Sequence, residues 1–277
     1  MKHESEHVSP VDGELRVWYG KMRDALRCHR AYQFRYHEWL TVPPTDSMRV
    51  GRTVHQALAR LLRGEDVSRS LEELETPELQ EYATTLLDHA RPKYEALKIR
   101  HAETLFEFHD ETARVTHLIK PDGVVEREDG TWVLEIKSTS RYSTKIARLY
   151  HYDPQPWYYA AIYEQYTGKP VKGVLMLVTT PKEAFLEPIF FTQGERSIAL
   201  DVKRHGVRAV KAAEVAIQTG APLVDRTECV SYVRECHYLP LCSAMNQAHE
   251  PAVQNYLDEL KRSLYITEDP EAHLHVD

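Results

Sequence analysis

Apolar residues recur in two different rhythms along this chain. Between 14 and 39, Leu15, Trp18, Tyr19, Met22, Leu26 and Tyr32 fall at helical spacing, which predicts a helix. Residues 51–63 predict a second, with Val54, Leu58, Leu61 and Leu62 on one face. Residues 70–97 read as one or two more. The rhythm then changes. In 103–119 and 123–136, Leu, Phe, Val, Thr and Trp gather in short runs, broken at Pro121-Asp122-Gly123 and at Glu128-Asp129-Gly130. Asp-Gly between apolar runs predicts a hairpin. A helix is expected from about 155 to 167, a buried strand over 173–180 and another over 185–192. A long helix over 195–219 closes at Gly220, and a last helix falls near 251–263. Helices lead, a mixed sheet occupies the middle and helices follow, the order of an α/β or α+β domain.

Composition adds limits. The 277 residues are 42% hydrophobic and 28% charged, ordinary globular values with room for a sizeable core. No internal repeat or low-complexity block interrupts them. The formal net charge is −7, so no global field favours nucleic acid, although a local basic groove is compatible with it. The first ten residues lack a basic-then-apolar leader, and no apolar run reaches membrane-spanning length. The expectation is a cytoplasmic protein without a membrane partner. In a reducing compartment four cysteines are buried thiols or metal ligands rather than two disulfides.

The chemistry concentrates in Pro121-Asp122 and Glu135-Ile136-Lys137. Side chains alternate along a strand, so Glu135 and Lys137 share a face. The turn at 128–130 folds Asp122 back beside them, placing two carboxylates within reach of one ion. Hard cations such as Mg2+ or Mn2+ take oxygen ligands of this kind. Such an ion activates water and neutralises phosphate charge, and a lysine beside it stabilises the charge that develops. Glu-x-Lys alone also fits the surface of an amphipathic strand. His55 in a helix, and Gln155 and Tyr159 one turn apart on another, read singly as packing residues.

Cys28 lies in the first predicted helix, while Cys229, Cys236 and Cys242 follow as C-x6-C-x5-C. Four thiolates can hold a 4Fe–4S cluster or a zinc ion, and spacing alone leaves buried thiols equally open. Basic residues cluster at Lys21, Arg23, Arg27, Arg30 and Arg35, at Arg141, Lys145 and Arg148, and at Arg196, Lys203, Arg204, Arg208 and Lys211. These could line a phosphate-tracking groove or be solvated helix faces. Tyr142, Tyr150, Trp157 and Tyr158 could stack bases or fill the core. The acidic Glu268, Asp269 and Glu271 suggest a mobile tail.

The ordered set Gly51 to His55, Pro121-Asp122, Glu135-Ile136-Lys137 and Gln155-x-x-x-Tyr159 resembles the PD-(D/E)XK nucleases, in particular their RecB-like exonuclease branch. The likeness spans most of the chain. It implies a restriction-endonuclease-like core, a central mixed sheet flanked by helices, as one nuclease domain over 1–277. Within it, 1–100 is a helical part with Cys28, 101–193 the core, and 194–277 a helix and the cysteine region. By this resemblance His55, Asp122, Glu135 and the Ile136 carbonyl bind Mg2+ or Mn2+, Lys137 is the catalytic lysine, and Gln155 and Tyr159 position DNA or the catalytic groups. Iron–sulfur members of the branch place one cysteine before the core and three after it, so Cys28, Cys229, Cys236 and Cys242 are implied to hold a structural 4Fe–4S cluster, with zinc as the alternative. Cys28, Tyr32 and Tyr36 fit the usual opening helix. The usual tail is C-x2-C-x5-C; here Val233 takes the middle position and Cys229 lies four residues earlier. The implied activity is exonucleolytic, on single-stranded DNA or DNA ends, with helicase, recombination or CRISPR proteins as partners. A structure-specific endonuclease and a non-catalytic nucleic-acid-binding subunit are the alternatives. No phosphate-binding loop of helicase type is present, so unwinding falls to a partner.

Overall fold

The first apolar run begins as a strand. In the computed structural model, which describes residues 14–140, 150–224, 229–231, 234–246, 251–269, 271 and 274, Leu15–Val17 (β1) lies parallel to residues 115–117. Helices Tyr19–Arg27 (α1) and His29–Tyr36 (α2) follow. The single helix expected over 14–39 is therefore three elements. Leu15 and Val17 satisfy a strand period as well as a helical one, and pairing with a distant strand decides. Cys28, expected inside a helix, stands at the junction with extended backbone (φ −165°, ψ 120°). After Leu40–Thr41 (β2), helix Asp46–Leu62 (α3) starts five residues earlier than the apolar stripe predicts. Thr45 Oγ1 caps it by accepting the Met48 N–H at 3.4 Å, and Asp46 sits in the first turn against the positive helix end. Ser68–Glu72 (α4) and Pro77–Glu95 (α5) fill the span expected to be helical.

The strands are Ile99–Ala102 (β3), Phe106–Asp110 (β4), Val115–Ile119 (β5), Gly123–Arg127 (β6) and Gly130–Ser138 (β7). Helix Pro154–Thr167 (α6) leads to Val171–Thr179 (β8) and Ala184–Phe190 (β9), then to the long helix Gln193–Gln218 (α7). The central sheet runs β3-β6-β7-β8-β9. β7 and β8 are parallel and the other neighbours antiparallel, so the sheet is mixed. A parallel pair needs a crossover, and α6 supplies it. β4 and β5 leave this sheet and pair with each other, and β5 pairs with β1, in a separate three-stranded sheet.

Alternation along β7 and β8 divides the core. Trp132, Leu134, Ile136, Leu175 and Leu177 pack with Val54, Leu58, Leu86 and Tyr94 of α3 and α5. Val133, Val174, Met176 and Val178 pack with Tyr158, Ile162 and Val210 of α6 and α7. Both faces are covered, which is why β8 reads as a continuous apolar run. Gly173 is required there: a Cβ would lie 2.1 Å from the Ile189 carbonyl oxygen on β9 and 2.7 Å from the Trp132 ring.

Gly220 closes α7 as expected, at φ 71°, with the Ala221 N–H reaching back to the Ala216 carbonyl at 2.8 Å. Val230–Ser231 (β10) and Arg234–Glu235 (β11) form a short hairpin, followed by Leu239–Asn246 (α8), Pro251–Leu264 (α9) and Ile266–Thr267 (β12). The acidic tail is docked rather than mobile. β12 pairs with β2, the Glu268 N–H donates to the Trp39 carbonyl at 3.0 Å, and Glu271 meets Arg16 at 3.5 Å. No described helix is long and apolar enough to cross a membrane.

Candidate active site

The site assembles where α3, the connection between β3 and β4, the start of β6, the end of β7 and the start of α6 meet. The two-residue turn Glu128-Asp129 sets the β6–β7 register, pairing Gly123 with Leu134. Asp122 therefore arrives opposite Glu135, as the hairpin predicts. Its Oδ2 accepts the Ile136 N–H at 2.5 Å, and its Oδ1 lies 2.9 Å from His55 Nδ1. His55 comes from α3, which approaches β7 closely: a Cβ on Gly51, one turn earlier, would stand 3.1 Å from Ser138 Oγ.

Glu103 is a site residue that no sequence motif exposes. Its φ of 50° is left-handed, a conformation worth about 1 kcal/mol or more of strain in a non-glycine residue. The Glu103 N–H donates to the Asp122 carbonyl at 3.3 Å, and this fixes the two residues side by side. Ligand atoms of His55, Glu103 and Asp122 all lie within 4.8 Å of one another. Burial pushes the Glu103 carboxyl up to about 7, and the Asp122 charge adds to it. Asp122 takes the opposite direction. Burial opposes its charge, but His55 and the Ile136 N–H hold it below the ordinary carboxylate range. His55 is likewise penalised by burial, yet Asp122 and Glu103 raise it to about 9.

Glu135 is buried and turned to Lys137, whose Nζ donates to Glu135 Oε1 at 2.6 Å. Burial, reinforced by Asp122, pushes Glu135 up to about 7. The lysine also meets Asp153 Oδ2 at 3.2 Å. Glu135 and Asp153 outweigh burial and hold Lys137 above its ordinary value, so it is an ammonium throughout the physiological range. Asp153 also caps α6 by accepting the Gln155 N–H at 3.0 Å. One side chain thus anchors the helix and restrains the lysine. The Asp-Pro pair before an apolar helix was the signal for it. One turn along, Gln155 Nε2 donates to Tyr159 Oη at 2.9 Å. The phenol is raised by burial first and then by the Glu135 charge, which places it towards that carboxylate.

The donor set suits a hard divalent cation: two carboxylates and an imidazole nitrogen converge, with a third carboxylate on Lys137 alongside. A second observation agrees. The Tyr94 hydroxyl is buried without a hydrogen-bond partner and feels the charges of Asp122 and Glu103. A hydrated ion between those carboxylates would offer it a water.

Away from this site, Cys28, Cys229 and Cys236 lie within electrostatic reach of Cys242. The Cys236 N–H donates to the Cys229 carbonyl at 3.0 Å across the β10–β11 hairpin, which absorbs the long x6 spacing; Val233 itself lies outside the described residues. Burial pushes the Cys242 thiol up to about 12, and Cys28, Cys236 and Cys229 crowd it with like charge. Around it Phe34, Leu40, Tyr238, Leu257 and Tyr265 join the N-terminal and C-terminal parts.

Other expectations resolve differently. Trp157 and Tyr158 are buried core residues rather than an exposed stacking platform. Trp157 Nε1 donates to the His151 carbonyl at 3.1 Å, and Tyr158 Oη hydrogen-bonds His117. Tyr150 packs against the same core. Much of the basic groove along α7 is committed internally: Arg196 binds Glu164, Lys203 binds Asp110 and Gln165, and Lys211 reaches the Ala113 carbonyl. Arg141, Tyr142, Lys145 and Arg148 lie outside the described residues.

Together the fold and site define a mixed α/β protein with a paired-carboxylate and lysine centre at the ends of two interior strands of its sheet. The family model for the PD-(D/E)XK nuclease superfamily matches residues 19–243, and the chain belongs to that family of phosphodiester hydrolases. No curated protein matches the sequence. Among solved structures, the crystal structure of a "Putative exonuclease" from Eubacterium rectale superposes with a TM-score of 0.56. It shares 15% identity and covers 85% of this chain and 95% of its own, a likeness of fold. That fold, a central mixed sheet flanked by helices, is the restriction-endonuclease-like one. The crystal structure of SSO0001 aligns at a TM-score of only 0.37 with 14% identity, over 89% of this chain and 91% of its own.

Proposed function

We propose that this chain is a metal-dependent DNA nuclease, an exonuclease acting on single-stranded DNA or free ends. The observation that carries this reading is the convergence of His55, Glu103 and Asp122 within 4.8 Å of one another beside the Lys137–Glu135 pair. Mg2+ or Mn2+, when bound, supplies charge neutralisation at the phosphate and acidifies the attacking water. His55, Glu103 and Asp122 hold the ion, with Glu135 and the Ile136 carbonyl completing its shell. The Ile136 N–H fixes one oxygen of Asp122, so the other is presented without rotational freedom. Lys137 stays charged and donates to the negative charge that grows on the phosphate. Asp153 limits where that ammonium swings. The Gln155 amide and Tyr159 hydroxyl, already joined, position the DNA backbone. The family likeness and the exonuclease description carried by the Eubacterium rectale protein favour exonucleolytic cutting. The four cysteines hold a structural 4Fe–4S cluster, with zinc as the alternative; their grouping around Cys242 supports a thiolate metal site. A helicase or recombination partner supplies any unwinding.

The test uses anaerobically purified protein, end-labelled single- and double-stranded DNA and their circular counterparts, with Mg2+ or Mn2+, beside Lys137→Ala. Wild-type cleavage of linear DNA with spared circles is expected, with loss in the variant. Absence of cleavage, or equal cleavage by the variant, refutes the nuclease reading; cut circles move it to an endonuclease. Iron content and brown colour separate the cluster from zinc.

A further inference from the structure

A cavity of about 370 Å3 opens between α1 and α7 at the first residue of α6. Met22 and Leu26 form one apolar wall and Ile198 and Val202 the other, with the Tyr19 ring between them and Pro154. Arg23 and Arg27 stand at the rim. We propose that this cavity takes an unstacked nucleobase of the single-stranded substrate, while the two arginines meet the flanking phosphates. The inference rests on the nuclease reading and extends it to a subsite.

Position is the first argument. Pro154 directly follows Asp153, the residue that pairs with Lys137 at 3.2 Å, and precedes Gln155. The Tyr19 hydroxyl feels the charges of both Asp153 and Lys137. A strand held at the lysine therefore passes the mouth of the cavity within a nucleotide or two of the bond being cut.

Surface chemistry is the second. Leu26 and Ile198 both line the cavity and are 55% and 56% exposed. An isolated soluble protein gains nothing by leaving such side chains open around a hollow, and an apolar, flat ligand covers both. The chain as a whole is acidic, at −7, yet the rim carries Arg23, Arg27 and His205. The one carboxylate in the lining, Asp201, is paired to Arg204 at 2.6 Å. Arg23 leans on Asp24 at 3.3 Å, with nearly half its side chain in solvent. Apolar interior, aromatic wall and guanidinium rim match a base with its phosphate. Size agrees, since small-ligand sites begin near ~300 Å3 while a protein partner needs about 800 Å2 of contact on each side.

The test is an abasic scan. A labelled oligothymidylate, with one abasic residue moved along it, is titrated by fluorescence anisotropy with Ca2+ in place of Mg2+. For the wild type, one position near the scissile bond should lose about tenfold in affinity, the size of one stacked base. Leu26→Glu combined with Ile198→Glu should weaken the intact oligomer by a similar factor and erase the sensitivity at that position. Arg23→Gln, at an exposed side chain, should flatten the salt dependence by roughly 0.7 in slope and keep the abasic pattern. Circular dichroism and thermal midpoints check folding. Unchanged affinity in the double glutamate variant, or a wild type with no sensitive position, overturns the proposal. A fall in oligomeric mass with unchanged oligomer affinity assigns the cavity to a second copy and overturns it too. A wild type that binds with this pattern but never cuts refutes the nuclease reading alone. A cutting enzyme indifferent to the cavity variants refutes the subsite alone.

Discussion

Replacing Glu103 by Gln should stabilise the metal-free protein and weaken its hold on metal, and both effects follow from one carboxylate. Glu103 has an ordinary value of 4.5 and stands at about 7 in the fold, because burial and then Asp122 disfavour its charge. A folded-state value above the unfolded one means that the folded chain binds the extra proton between pH 4.5 and 7. Its stability contribution is intact below pH 4.5 and is lost as pH rises through 7. At 1.36 kcal/mol per pH unit the penalty above pH 7 is on the order of 3 kcal/mol. A buried amide recovers part of it, because it loses the attraction of His55 and Lys120 along with the repulsion. The expected gain for Glu103→Gln at pH 8 is about 1–2 kcal/mol, or roughly 2–6 °C in Tm for a chain of this size. At pH 4 the two proteins should melt together. Divalent ion reverses the order: at about 100 times Kd it stabilises a binding-competent fold by ~2.7 kcal/mol, and the variant should gain far less. Differential scanning fluorimetry at pH 4 and 8, with EDTA or Mn2+, reads all four cases. A variant less stable than wild type in EDTA at pH 8, or an equal Mn2+ shift in both, refutes the reasoning.

His117 predicts acid sensitivity of a different origin. Burial, then Lys203, depresses this histidine from 6.5 to about 3, so the unfolded chain binds its proton first and stability falls as pH drops from 6.5 to 3. The loss is on the order of 4 kcal/mol, and urea titrations at pH 4.5 and 7 should show His117→Gln with a shallower pH slope. Gly173→Ala forces a methyl onto the Ile189 carbonyl and should cost about 3 kcal/mol of unfolding free energy, read as a lower denaturant midpoint, with a β8–β9 sheet edge that no longer closes. Cys236→Ala should lose solubility and folding before activity, because on the proposed cluster it would open a crosslink spanning about 200 residues; a soluble, metal-free, fully active variant would contradict it. Metal affinity, read by isothermal titration, should rise from pH 6 to 9 as Glu103 and Glu135 near 7 and His55 near 9 give up their protons.

Much of the site was legible because its order is written in local signals. The Glu128-Asp129-Gly130 turn fixes register, register brings Asp122 to Glu135, and alternation puts Lys137 beside Glu135. Glu103 was not legible. It belongs to no motif, and its role depends on a left-handed backbone and on β4 and β5 leaving the central sheet for a separate one with β1. The N-terminal error has the same cause: a parallel pairing with Val115–His117, far along the chain, turned the start of an apparent helix into a strand. The basic runs left two readings open because charge along a helix does not reveal its partners. Arg196 and Lys203 look free in sequence and are tied to Glu164 and Asp110 in the fold.

The charge pairing explains how such a centre folds before any ion arrives. Four carboxylates, Glu103, Asp122, Glu135 and Asp153, gather within the reach of one another's fields. Each has a compensating group: Lys120 at 3.5 Å for Glu103, His55 from α3 for Asp122, and Lys137, two residues along β7, for both Glu135 and Asp153. Burial first, and then the Asp122 charge, raises Glu103 and Glu135, while His55 and the Ile136 N–H hold Asp122 down against its own burial. The two raised carboxyls mark buried negative charge that their partners do not fully offset, which a divalent cation would satisfy. On the proposed function, a bound cation would release Lys137 from part of its hold on Glu135 and leave the ammonium to meet phosphate. The reacting phosphate would then be bound strongly only with metal present, because without it the nearest cation is spent on its own carboxylates.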